Sequence, residues 1–120
     1  MIQGHVRIKG SLSHLIRETA KTTNMLDRAR GLLFRKKLQP QQALWIDPCP
    51  SVHTVGMRYP IDVVFMDKQG TVLKVVEKLP PLRMALCKNA HATLELSGGE
   101  AAQLGIELGM QLVWNQEKSE

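Results

Sequence analysis

Aromatic side chains are scarce in this chain, at 4% of 120 residues, so Leu, Val, Ile and Met must supply most of any core. The same scarcity argues against single-stranded nucleic-acid binding, which stacks bases on exposed Phe, Tyr or Trp. Cysteine is limited to Cys49 and Cys87. No apolar run approaches the roughly 18–20 residues that cross a bilayer. The opening stretch MIQGHVRIKGSLSHLIRETAK lacks the roughly 7–15 apolar residues of a signal peptide. A cytoplasmic chain with two reduced thiols is therefore the expectation. Internal repeats, linkers and low-complexity stretches are missing too.

What is present suits one domain able to bury a real core. It is expected over residues 1–114, with 115–120 as a polar tail. The net charge of +5 is unevenly placed: residues 1–40 hold nine Lys/Arg against Glu18 and Asp27. Such a basic third can meet phosphate or an acidic partner, or simply be a solvated helix face. No helix-turn-helix pair, zinc-finger spacing or aromatic RNA-binding strand accompanies it, so nucleic acid is not an expected partner.

The hydrophobic period changes along the chain. HVRIKG alternates Val6 and Ile8 with Arg7 and Lys9, as a half-buried strand does. SLSHLIRETAK is ambiguous and reads as extended. In TNMLDRARGLLFRKKL, Met25, Leu26, Ala29, Leu32 and Leu33 share about 120° of arc at helical spacing. Asn24 is placed to cap that helix, and Arg35 to Lys37 sit at its negative end. Beyond Pro40 the period returns to two. ALWID and SVHTVGM are strand candidates, and IDVVFMD, a Lys68–Gln69–Gly70 turn and TVLKVVEKL form a hairpin. RMALC, ATLEL and MQLVW are further strands. Between the last two, Ser97 and Glu100 have capping-box spacing for a short helix that Gly105 can stop. About seven short strands with two helices predict a mainly β (α+β) fold, a small β-barrel or jelly-roll-like sandwich.

RARGLLFR (28–35), PIDVVFMDKQGTV (60–72) and LELSGGEAAQLGIELGMQL (94–112), in that order, resemble a known family, DUF192, whose members have no established activity. CPSVHTVGMRYPID resembles its branch with Cys-x-Ser-x-His-Thr ahead of a Met; the commoner branch has an aromatic-Met-x-Asn-Thr pattern there. The resemblance runs from about Thr19 to Val113. It implies a compact β-barrel or jelly-roll-like sandwich and no particular reaction. Many relatives are exported or membrane-anchored, which the opening stretch does not support here. Some are encoded near pilus-assembly genes, an association that assigns no role. Met110 stands where relatives usually place Asp after the Gly, so an acidic turn residue is missing.

Cys49, His53, Met57 and Asp62 crowd into fourteen positions and invite a metal reading, since thiolate, imidazole and thioether suit zinc or copper(I). A Cys-x3-His-x3-Met chelate needs a helix. Gly56, Pro48, Pro50 and Pro60 oppose one, and on a strand residues four apart lie about 13 Å from each other. Cys87 and His91 are the obvious further donors. Core or turn roles are the simpler expectation, with no metal and no cofactor. A Cys nucleophile would need a base within reach, and no spacing demands one.

Asp62 is more telling. It shares a strand face with Val64 and Met66, and a buried carboxylate must be paired. Arg35, one turn beyond Gly31, offers a planar fork for it. The expected function is a binding or protein-interaction module without its own chemistry, its partner a protein or small molecule. The alternative is a site for an anionic ligand, possible as an enzyme's, lined by Arg28, Arg35, His53 and Asp62.

Overall fold

The computed structural model describes residues 1–25 and 37–117. Nine strands follow in order: β1 (Ile2–Ile8), β2 (Ile16–Lys21), β3 (Gln42–Ile46), β4 (Ser51–His53), β5 (Ile61–Met66), β6 (Val72–Leu79), β7 (Met84–Leu86), β8 (Ala92–Ser97) and β9 (Leu112–Gln116). A short helix α1 (Glu100–Leu104) precedes β9. Seven strands form one curled half-barrel sheet in the order β6-β5-β8-β3-β2-β1-β9, and β4 pairs with β7 in a separate two-stranded ribbon. The mainly β expectation therefore holds at the level of class. One short helix lies among the described residues, and the helix expected over TNMLDRARGLLFRKKL falls largely outside them.

Every position of β5 is buried, because this strand is covered on both sides. Val64 and Met66 enter a core with Val6, Ile16, Trp45, Leu94, Leu96 and Leu112, closed by Ala101 of α1 and by Ile106. Ile61, Val63 and Phe65 enter a second core with Leu44, Ile46 and Leu79. There the ribbon supplies Val52 and Ala85, and Cys49, Met57 and Cys87 pack against them. The first side is thus the helix face of the sheet and the second its ribbon face.

SVHTVGM gives only the three-residue β4. Thr54 ends it by turning its hydroxyl onto the Pro80 carbonyl at 2.6 Å and accepting from the Arg83 N–H at 2.8 Å. SLSHLIRETAK supplies β2, which runs parallel to β3, with Thr19 opposite Ala43. The Ser97–Glu100 capping box is absent. Gly99 is the N-cap in a left-handed conformation (φ 93°) without a local side-chain cap. Gly105 does end α1. Its N–H reaches the Ala102 carbonyl at 3.1 Å and that of Ile106 reaches Ala101 at 3.0 Å, the paired bonds of a glycine-terminated helix.

The β5–β6 hairpin turns through Gly70 (φ 83°), with the Asp67 carboxylate accepting from the N–H groups of Gln69 and Thr71, both at 2.9 Å. This turn also joins the two ends of the large sheet. Thr71 bridges Gln111, Val72 N–H bonds Met110 O at 2.8 Å, and Leu112 N–H bonds Gly70 O at 2.9 Å. A Cβ on Gly70 would run into the Leu112 carbonyl oxygen. Gly70→Ala is thus expected to cost about 2 kcal/mol or more, from a positive φ and a backbone clash together. Chemical denaturation would check this; a loss under about 0.5 kcal/mol would mean the seam yields. No described helix is long and apolar enough to cross a membrane.

Candidate functional site

Asp62 is fully buried on the helix face, opposite Leu96 of β8. One carboxylate oxygen accepts from the N–H of Lys78 at 2.8 Å and of Gly99 at 3.0 Å, and the other accepts from Ala101 N–H at 2.8 Å. Local sequence explains each donor. Lys78 takes a left-handed φ of 50° where the β5–β6 pairing shifts register, and Gly98–Gly99 bring the start of α1 against the beginning of β5. A Cβ on Gly98 would press on the Pro60 carbonyl oxygen at 3.1 Å. The side chain that caps α1 therefore comes from a strand 39 residues earlier. Glu100 turns away and accepts from Gln41 N–H at 3.2 Å.

The other sequence-predicted site residues are elsewhere. His53 is exposed on the ribbon, which covers the opposite side of the sheet, so the structure does not bring His53 and Asp62 together. Arg28 and Arg35, and with them the Arg35–Asp62 pair, lie outside the described residues. Cys49 and Cys87 form no disulfide, and Cys49 Sγ lies 3.0 Å from the Ser51 carbonyl oxygen. Among the described residues no three His, Cys, Asp or Glu side chains converge on a metal position. His91 pairs with Asp47 at 2.9 Å.

Glu95 was not singled out by the sequence analysis, although ATLEL carries the signal. Ala92, Leu94 and Leu96 occupy the helix face of β8, so Thr93 and Glu95 must face the other way. Both cross-strand neighbours of Glu95, Leu44 and Val63, belong to the ribbon-face core. Its Oε1 is buried with no hydrogen-bond partner, as is the Tyr59 hydroxyl. Burial pushes the Glu95 carboxyl up to about 7. Tyr59 is raised as well, first by burial and then by the Glu95 charge. The Lys37 ammonium lies 5.7 Å from the centre of the Tyr59 ring.

A separate open cleft of about 620 Å³ is lined by Gly4, His5, His14, Arg17, Glu18 and residues 115–117. The His5 and His14 rings stack in it at 3.7 Å. Partial burial lowers the His5 pKa, helped by His14 and Arg7 and opposed by Glu117.

Four of the exposed large apolar side chains among the described residues lie on the ribbon or its turns. Its strands alternate exposed, buried, exposed: Val52 and Ala85 point into the core, while Ser51 and Leu86, and His53 and Met84, face each other on the outside. Leu82 N–H bonds the Thr54 carbonyl at 3.2 Å, which sets Leu82 beside Val55 at one end. Val55, Leu82, Met84 and Leu86 are 55–68% exposed. A cluster of exposed large apolar side chains marks contact with another molecule more often than an isolated one does. Sequence periodicity could not show this, because it does not reveal which strands form a detached ribbon.

The profile of DUF192, described as Uncharacterized ACR, matches residues 5–114. No curated protein matches. A protein of unknown function from Novosphingobium aromaticivorans DSM 12444 is similar in structure, with a TM-score of 0.75 and 25% identity, over 92% of this chain and 84% of that one. A protein from Sinorhizobium meliloti 1021, described as a candidate transcription regulator, is similar with a TM-score of 0.80 and 21% identity, over 93% of both chains. The second likeness is one of fold alone.

Proposed function

This chain belongs to the DUF192 family, and we propose that it is a protein-interaction module without chemistry of its own. The observation that carries the reading is the outward ribbon face, where Val55, Leu82, Met84 and Leu86 stand exposed together around His53. A binding module uses a shallow apolar or edge-strand surface, whereas an enzyme gathers polar groups in a deep pocket. The strongest buried polar constellation, Asp62 with its three backbone donors, is saturated and turned inward. Glu95 is closed over. The two thiols, outside any disulfide, fit a reducing compartment, so the same reading places the module in the cytoplasm.

The test is site-specific photocrosslinking in cells from Leu86 and, as a control, from exposed Gln103 on α1. A discrete adduct is expected from Leu86 and not from Gln103. It should vanish in a Met84→Asp variant whose melting temperature is unchanged. Equal labelling from both positions, or none from Leu86, would remove the ribbon face as the binding surface.

A further inference from the structure

The partner of the ribbon face has a chemistry that the ribbon itself dictates, and identifying it rests on the interaction-module reading above. Backbone bonds place Pro50 opposite Cys87 at 3.0 Å and Thr54 opposite Arg83 at 2.8 Å. Hydrogen-bonded pairs alternate along an antiparallel ladder. Val52 is therefore bonded to Ala85, while the N–H and C=O groups of Ser51 and His53 point away from β7. Among the described residues β4 has β7 as its single strand neighbour, so that edge is open. The opposite edge is not: β7 lies beside β6, and the Lys74 ammonium donates to the Leu86 carbonyl at 2.9 Å. The Ser51 carbonyl takes the Cys49 thiol, a weak donor that a backbone N–H can displace.

Charge then selects the occupant. Residues 48–60 and 80–91, which build the ribbon and its turns, contain Arg58, Arg83 and Lys88 and not one Asp or Glu. All three cations are exposed. The adjoining carboxylate, Asp47, is held by His91 at 2.9 Å, and a second copy of the chain would set the three cations against each other. We propose that the open edge of β4 takes an extended, acidic segment of a partner protein as a third ribbon strand. Its outward apolar side chains lie beside Ser51 and His53, one strand away from Met84 and Leu86, and widen that surface, while its carboxylates meet Arg58, Arg83 and Lys88. Main-chain bonds supply affinity in such strand addition, and side-chain pattern supplies choice.

The experiment uses labelled ten-residue peptides alternating Val with Glu or Val with Lys, and a Val/Glu peptide N-methylated on the amides of one edge. Fluorescence anisotropy is expected to show the Glu peptide binding at least about tenfold tighter than the Lys peptide. Its affinity should fall about fivefold or more between low and physiological salt, as screening of rim charges requires. N-methylation should weaken it about tenfold, and Arg83→Glu should remove the preference for Glu. Equal binding of the N-methylated peptide would overturn strand addition. Equal binding of the Lys peptide would overturn the acidic partner. Concentration-dependent dimerisation abolished by Met84→Asp, or stronger binding to phosphatidylserine vesicles than to any peptide, would assign the face to another occupant and overturn the proposal. If no peptide binds while the Leu86 crosslink persists, strand addition falls and the interaction module stands. If the crosslink is absent, the module reading itself falls.

Discussion

Replacing Asp62 with alanine is expected to destabilise the domain by about 3–5 kcal/mol, because it leaves three N–H groups without an acceptor. Each buried donor stripped of its partner costs about 1–3 kcal/mol. Those of Lys78, Gly99 and Ala101 all depend on this one carboxylate. Water can reach the Gly99 end of the site more readily than Ala101, which keeps the total below the simple maximum. Asp62→Asn should lose less, about 1–3 kcal/mol. Its remaining oxygen can still serve Lys78 and Gly99, while its amide nitrogen opposes the Ala101 N–H donor to donor. Urea denaturation of the three proteins measures the series, and equal losses for Asn and Ala would disprove the geometry. Since the donors are backbone groups, the Asp62→Ala loss should be nearly the same in an Arg35→Met background. A coupling above about 1 kcal/mol in that double-mutant cycle would make Arg35 a partner of Asp62 beside the three backbone donors.

Glu95→Gln is expected to act in the opposite direction, stabilising the protein by up to about 3 kcal/mol at pH 8 and by little at pH 5. The native carboxyl is raised from 4.5 to about 7 by burial, a gap equivalent to about 3 kcal/mol. The sign follows from proton binding: between these two values the native state holds a proton that the unfolded chain has already released. Stability due to this group is thus greatest at low pH. It falls as pH rises through the window from about 4.5 to about 7, and is fully lost above it. Glutamine cannot ionise, so its stability should be flat across that window. Denaturation midpoints of both proteins from pH 4.5 to about 8.5 would test this, and parallel profiles would show that Glu95 ionises as an exposed carboxylate does.

These two carboxylates also mark how far the sequence could be read. Burial of Asp62 was legible, because IDVVFMD is apolar on both faces. The identity of its partners was not, since backbone donors from residues 78, 99 and 101 converge only through tertiary folding. The same physics explains the missing capping box: Ser97 and Glu100 have the right spacing, but Asp62 occupies the start of α1 from another strand. The β5–β6 hairpin was legible, as two runs rich in Val flanking the Lys68–Gln69–Gly70 turn are a local signal. β2 was ambiguous because IRETAK buries just Ile16 and Thr19 strongly, too few to set a period. SVHTVGM overstated β4, whose end is decided by bonds from Thr54 to Pro80 and Arg83, some thirty residues on. The ribbon face escaped notice for a similar reason. Met84 and Leu86 look like core residues until Ala85 is seen to be the one turned inward.

The place of β1 in the large sheet has a consequence for synthesis. Its neighbours are β2, made almost immediately, and β9, made last, with Gly4 opposite Gln116 and Ile8 opposite Leu112. A ribosome therefore releases the first strand with one edge satisfied and the other waiting for about a hundred further residues. Throughout that interval β1 offers a bare ladder to any passing chain. Arg7 puts a charge along this waiting strand, and once β9 arrives the same guanidinium donates to the Asn115 side-chain oxygen at 2.9 Å, so the group that guards the edge also helps to close it.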